Sequence, residues 1–121
     1  MDADKTVRDF CAAWGRGDLE AIVDSFTDDA VYHNIPMPPC EGKVAIREFI
    51  AGLFGGMAKS IDFEIRMQLV DGLKVMNERV DTLVMENGTV ALPVCGVFEL
   101  TPEGKIQAWR DYFDAGQFAG G

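Results

Sequence analysis

Histidine and cationic side chains are scarce in this chain. His33 is its single histidine, which excludes any site needing two imidazole ligands and leaves a Ser-His-Asp triad little to work with. Ser25 and Ser60 are the only serines and no Gly-x-Ser-x-Gly elbow is present, so an α/β-hydrolase is excluded on motif and on length. Cys11, Cys40 and Cys95 are an odd number without Cys-x-x-Cys spacing. Neither a disulfide framework nor a zinc site is suggested, and free thiols are expected. Lys and Arg number 11 against 20 Asp and Glu, a formal charge of -9. Nucleic-acid binding rests on clustered cations that displace counterions, so no nucleic acid is expected and a neutral or apolar small ligand is favoured. No apolar run approaches the roughly 20 residues of a membrane span. The acidic start, Met1-Asp2-Ala3-Asp4-Lys5, also lacks the features of a signal peptide. A cytoplasmic protein with no membrane partner is the expectation.

What is present is a moderately apolar chain, 48% hydrophobic over 121 residues. It reads as a single domain, 1–121, able to bury about two thirds of its unfolded surface. Val7, Phe10, Cys11 and Trp14 follow the i, i+3, i+4, i+7 pattern of one helix face, closed by Gly15 and Gly17. Asp18 is the N-cap of a second helix carrying Leu19, Ile22, Val23 and Phe26 and stopping around Thr27-Asp28-Asp29. Ala30 to Asn34 reads as a short strand, and the prolines of Ile35-Pro36-Met37-Pro38-Pro39 impose a rigid loop. Val44, Ile46, Phe49, Ile50 and Leu53 place a third helix over Lys43 to about Phe54, before Gly55-Gly56.

From Ile61 the period changes to two: Ile61, Phe63, Ile65, Met67 and Leu69 alternate with polar residues, the pattern of a half-buried strand. Three more strands follow, Lys74 to Met85, Val90 to Leu100 and Ile106 to Asp114, with turns at Asp71-Gly72, Asn87-Gly88 and Thr101-Pro102-Glu103-Gly104. Pro93 implies a bulge or an unpaired position. The tail from Ala115 is Gly/Ala-rich and is expected to be loosely held. The order describes an α+β fold in which three N-terminal helices pack in a strongly curved, mixed but mostly antiparallel sheet that encloses a conical pocket.

Polar residues interrupt the apolar pattern at informative places. Arg79 and Asp81, two apart on a strand, point the same way as Val75, Leu83 and Met85. Asp111 shares its face with Trp109 and Phe113, and Tyr32 and Asn34 lie on the short strand before the proline loop. Two carboxylates and a guanidinium on apolar faces are unfavourable unless paired. From spacing alone, a structural ion pair fits as well as a catalytic set. Asp111 alone could be a solvated edge residue, and Tyr32 and Asn34 could cap backbone. His33, Arg110, Tyr112 and Asp114 should face the other way, the last three suited to an outer-face ion pair or a subunit contact.

Val31-Tyr32-His33-Asn34-Ile35-Pro36-Met37-Pro38-Pro39, Glu78-Arg79-Val80-Asp81, Gly96-Val97-Phe98 and Trp109-Arg110-Asp111-Tyr112-Phe113-Asp114 together resemble the limonene-1,2-epoxide hydrolase family, within the cone-shaped folds related to nuclear transport factor 2 and ketosteroid isomerase. The resemblance runs from about Phe10 to Phe118. It implies one-step hydrolysis of an epoxide to a vicinal diol, without a covalent intermediate. By that resemblance Tyr32, Asn34 and Asp111 hold the water, with Asp111 the general base; Asp81 is the general acid, and Arg79 bridges the acids. It further implies a homodimer that needs no metal and no organic cofactor. Met37, Leu53, Met57, Leu83, Leu92, Val94, Phe113 and Phe118 are candidates for a pocket wall, although such residues are as often plain core. A wall of Met and Leu suits an apolar substrate such as a terpene or cycloalkene oxide.

Residue chemistry is consistent with that assignment. Epoxide opening needs charge relief on the leaving oxygen and a strengthened nucleophile opposite, which two carboxyl groups supply if one is neutral and one ionised. An ordinary Asp titrates near about 3.9, so the site must hold a proton by burial and mutual repulsion. The rivals are an isomerase or cyclase of the same fold, which gains nothing from a guanidinium tying two acids together, a covalent ester route through an Asp, and a non-catalytic module for apolar ligands.

Overall fold

Residues 1–119 are described by a computed structural model, with side chains as far as Gln117. Helix α1 (Ala3–Gly15) begins at Asp2, whose carboxylate accepts from the Lys5 amide at 3.1 Å, and it buries Val7, Phe10, Cys11 and Trp14, the face its spacing marks out. In α2 (Leu19–Asp24) Asp18 caps the Ala21 amide.

Phe26 does not continue α2 but opens strand β1 (Phe26–Asn34). The Ile106 amide donates to the Ser25 carbonyl at 2.7 Å and starts a parallel pairing of β1 with a strand far along the chain. The Phe26 ring is thereby stacked near Trp109 at 6.2 Å. Burial of an aromatic side chain outweighs the weak local preference of a short helix. A two-residue strand β2 (Cys40–Glu41) pairs back on β1; two residues are too few to show a period.

Helix α3 (Lys43–Gly52) widens into a π-helical turn, Leu53–Met57, closed by the Ala58 amide donating to Leu53 at 2.8 Å. The Gly55-Gly56 pair therefore loosens the helix rather than ending it. Strands β3 (Ser60–Asp71), β4 (Lys74–Met85), β5 (Gly88–Leu100) and β6 (Ile106–Tyr112) form a meander, and a short helix α4 spans Gly116–Ala119 in the tail that was expected to be loose. The sheet runs β2-β1-β6-β5-β4-β3, mixed and open, with the helices on its concave side. The architecture is the α+β cone that the element order implies.

Two strand details depart from the sequence reading, and Pro93 meets the second of its two expectations, being unpaired on its β6 side. Pro93 pairs in register with Val80, without a bulge. It lies beyond the last β5–β6 pair, Cys95 opposite Tyr112, where its missing N–H interrupts no ladder bond. Register shifts fall elsewhere, in the β1–β6 and β5–β6 pairings and in β3 between Ile65 and Met67. An extra residue in β3 reverses the faces, so Met67 and Leu69 are exposed and Gln68 turns inward, opposite Asn77. The β4–β5 turn is Glu86-Asn87, one residue early, because Gly88 pairs with Met85.

An aromatic core forms where α1 meets the sheet. Tyr32 stacks on Trp109 at 4.2 Å, Phe98 lies on Trp109 at 5.3 Å, and Phe10 meets Trp109 edge-on at 5.0 Å. These rings form a floor beside which the polar residues are set.

Candidate active site

Register alone assembles a polar row across the concave face of the sheet. Asn34 on β1 stands opposite Asp111 on β6, Asp111 opposite Gly96 on β5, Gly96 opposite Asn77 on β4, and Asn77 opposite Gln68 on β3. Arg79 and Asp81 follow Asn77 on the same face of β4. Among the described residues, Asn77, Arg79, Asp81 and Asp111 are the buried polar or charged ones, none more than 4% exposed.

The guanidinium of Arg79 organises them. Nε and Nη2 donate to the Asp81 oxygens at 2.9 and 2.8 Å, and Nη2 and Nη1 to the Asp111 oxygens at 2.8 and 3.3 Å. The remaining Nη1–H goes to Asn77 Oδ1 at 3.1 Å. All five donors of the fork are thus used. Phe63 lies over the guanidinium with its centroid at 4.5 Å, adding cation–π attraction in a desolvated setting. Trp109 Nε1 donates to Asp111 Oδ1 at 2.7 Å.

Gly96 explains how a side chain from β4 reaches a carboxylate on β6. A Cβ there would collide with Arg79 Nη1 and come within 2.9 Å of Asp111 Oδ1 and 3.0 Å of Asn77 Oδ1. The three atoms that meet at this junction fill the space a side chain would take.

Burial and charge act in opposition on these groups. Burial pushes the Asp81 carboxyl up to about 6, with Arg79 opposing and Asp111 and Asp62 reinforcing the rise. Burial likewise raises Asp111, against Arg79 and the Trp109 N–H. Burial works against the charge on Arg79, but the two carboxylates outweigh it and hold the guanidinium cationic. One cation faces two acids whose ionisation burial disfavours, so the two carboxyls titrate as a coupled pair. Tyr32 is raised well above its ordinary value by burial and by Asp111, so its hydroxyl remains a donor. Cys11, beneath the cluster, is pushed up to about 12 by burial and stays a thiol.

Asp81 and Asp111 open onto one cavity of about 410 Å³. Tyr32, Asn34, Met37, Leu53, Met57, Leu83, Leu92, Val94 and Phe113, all singled out from sequence, lie on its wall. Arg79 lies behind the acids rather than on the wall, and the side chain of Phe118 falls outside the described residues. Trp14, Phe49, Ile61, Phe63 and Ala115 also line the cavity and were not anticipated. The first four belong to apolar faces whose periodicity announces burial without distinguishing cavity from core. Asn77 and Gly96 were also missed as site residues; strand alternation places Asn77 on the Arg79 face and could have found it. His33 faces away from the acids, with Nε2 2.9 Å from the Met37 carbonyl, and Arg110 pairs with Glu99 at 2.7 Å on the outer face. Among the described residues no group of three or more His, Cys, Asp or Glu is placed to hold a metal ion.

The arrangement sets two carboxyl groups and two neutral polar groups around one apolar chamber. Residues 1–119 match the family model of the limonene-1,2-epoxide hydrolase catalytic domain. The chain is 34% identical over 110 residues to epoxide hydrolase EphG of Mycobacterium tuberculosis (strain ATCC 25618 / H37Rv), covering 89% of this chain and 70% of that protein. A solved M. tuberculosis LEH-like epoxide hydrolase superposes with a TM-score of 0.86 at 31% identity, over 98% of this chain and 87% of that one. The epoxide hydrolase/cyclase-like enzyme SalBIII of pyran ring formation in salinomycin shares the fold, with a TM-score of 0.84 at 24% identity over 95% of this chain and 92% of that one. This chain belongs to the limonene-1,2-epoxide hydrolase family.

Proposed function

We propose that the protein hydrolyses an apolar epoxide, of a terpene or cyclic alkene, to a vicinal diol in one step. The observation that carries this reading is the pair Asp81 and Asp111, joined by Arg79 and both facing the same apolar cavity. Water held by Tyr32, Asn34 and Asp111 attacks an epoxide carbon. The new C–O bond forms as the ring C–O bond breaks, Asp111 takes the proton leaving the water, and Asp81 gives its proton to the ring oxygen. The pair carries one proton before and after, which Arg79 makes tolerable by neutralising the one remaining charge. Because the acid's burial is what keeps it protonated, the apolar wall serves the chemistry as well as binding.

The apolar wall also sets the substrate class. A chamber of about 410 Å³ lies in the range of small-molecule sites, and its polar side chains are the four already given a role. Recognition therefore rests on shape and apolar contact, with the epoxide oxygen as the one polar anchor. A homodimer is part of the same reading: Met67, Leu69, Met76 and Tyr112 are exposed apolar groups on the outer face of the sheet, and their burial between two copies would remove that surface from water.

Single-turnover hydrolysis in ¹⁸O-water tests the route. Direct attack puts the label in the diol in the first turnover and none in Asp111 or Asp81. Unlabelled first-turnover diol, with label entering a carboxylate, would mean an ester route, and no diol would defeat the reading.

A further inference from the structure

The hydrolytic reading uses two of the three partners of Arg79. The third, Asn77, touches neither cavity nor carbon chain, yet it is 2% exposed and bonded at both ends of its amide. Its Oδ1 accepts from Arg79 Nη1 at 3.1 Å, and its Nδ2 donates to Gln68 Oε1 at 3.1 Å. Gln68 Nε2 in turn donates to the Asp4 carboxylate at 2.8 Å and to the Asp4 carbonyl at 3.2 Å, in the first turn of α1.

Neither amide has a choice of orientation. Arg79 has only donors, so Asn77 must present its oxygen; both Asp4 atoms are acceptors, so Gln68 must present its nitrogen. The relay from Asp4 to Arg79 therefore has one polarity. It also depends on two features of the fold, the bulge that turns Gln68 inward and the missing side chain at Gly96.

We propose that Asn77 is a positioning residue, which aims the Arg79 fork at Asp111 and, by being a neutral acceptor, keeps the cluster at one proton for two carboxyl groups. This inference rests on the hydrolytic reading for its catalytic consequence, though not for its electrostatic one. A carboxylate at position 77 would be equally able to accept from Nη1. It would add a third acid to a buried set that holds one cation, and the set would answer by binding a further proton. The amide accepts without bringing charge. The titratable and charged groups that bear on the cluster are Asp81 from β4, Asp111 from β6, Tyr32 from β1, Asp62 from β3, and Cys11 and Arg8 from α1, with Asp4 at the end of the relay. The second cation, Arg8, is bonded to Asp4 at 3.1 Å and not to Asp81 or Asp111, so no cation beside Arg79 in hydrogen-bond contact with those two would compensate the added charge.

The decisive experiment is a ¹³C titration of the Asp81 and Asp111 carboxyls in wild type and Asn77→Asp, read beside the pH profile of epoxide hydrolysis. The expected result is a rise of about one unit or more in the pair's titration midpoints in Asn77→Asp, with the acidic limb of kcat moving by the same amount. Asn77→Leu, which removes the acceptor without adding charge, should lower kcat about tenfold or more while KM changes less than about threefold. Carboxyl titrations that superpose in wild type and Asn77→Asp, with only the melting temperature lowered, would overturn the proposal in favour of a merely structural amide. Should Asn77→Asp not fold, the wild type decides: the Asn77 amide and Arg79 guanidinium ¹⁵N signals should titrate with the carboxyls, and signals static across that range would overturn it. If wild type turns over no epoxide, the carboxyl titrations still stand, which separates failure of this inference from failure of the hydrolytic reading.

Discussion

Arg79 and Gly96 fit together as a side chain and the gap left for it: a Cβ on Gly96 would clash with Nη1 of Arg79. The guanidinium crosses β5 at that point to reach Asp111. Gly96→Ala should therefore displace Nη1 from Asn77 and Asp111 together. The expected outcome is a loss of about 1–3 kcal/mol in stability, as for overpacking of a tight interior. A fall in kcat should exceed the fall in apolar substrate affinity. Thermal melts with steady-state kinetics check both, and an Ala variant with wild-type kcat would show that the junction tolerates a methyl.

Arg79→Lys keeps the charge and loses the fork. Five hydrogen bonds reduce to at most three, so at least two of the five bonds to Asp81, Asp111 and Asn77 are lost in a buried setting. Leaving buried acceptors unsatisfied in this way typically costs about 1–3 kcal/mol each. Denaturant unfolding should show a loss of that order, and a lysine variant as stable as wild type would contradict the assigned geometry.

Much of this arrangement was legible in the chain. Helix faces around Val7 and Trp14, the strict alternation from Ile61 to Ile65 and the shared face of Arg79 and Asp81 follow from period and composition and decided the fold class, while the roles expected of the acids came from the family resemblance. What the chain concealed was pairing. The partner of β1 lies some eighty residues away, as the pair Phe26 and Ile106 shows, and no local signal announces it. The bulge at Arg66 is equally silent, and it alone turns Met67 and Leu69 outward and Gln68 inward. Gly96 became a site residue only once three strands were placed side by side, whereas alternation along β4 already put Asn77 on the Arg79 face.

The elevated Asp81 carboxyl makes a prediction about stability. Its folded value of about 6 exceeds the ordinary 3.8, so the folded state binds more protons than the unfolded one between those values. Stability must then fall as pH rises from about 4 to about 6, by roughly 3 kcal/mol for this group, and level off above. Asp111, also raised, acts in the same direction. Urea unfolding of wild type and Asp81→Asn across that interval should show the slope reduced in the variant. An equal slope in both would show that Asp81 ionises as freely folded as unfolded.

Tyr32→Phe keeps the stacking on Trp109 at 4.2 Å and removes the hydroxyl beside Asn34. The expected result is an unchanged fold with kcat lower by about ten- to a hundredfold, since the attacking water loses one of its holders. Circular dichroism with kinetics distinguishes this from the loss of fold that removal of a purely structural tyrosine would bring.

The most direct test of the account is diol formation from a panel of limonene, cyclohexene and styrene oxides, by wild type beside Asp111→Asn and Asp81→Asn, with each variant first shown to be folded. The account predicts turnover of at least one apolar epoxide by wild type and its loss, by about a hundredfold or more, in each variant. Wild-type rates in either folded variant, or no diol from folded wild type across the panel, would contradict it.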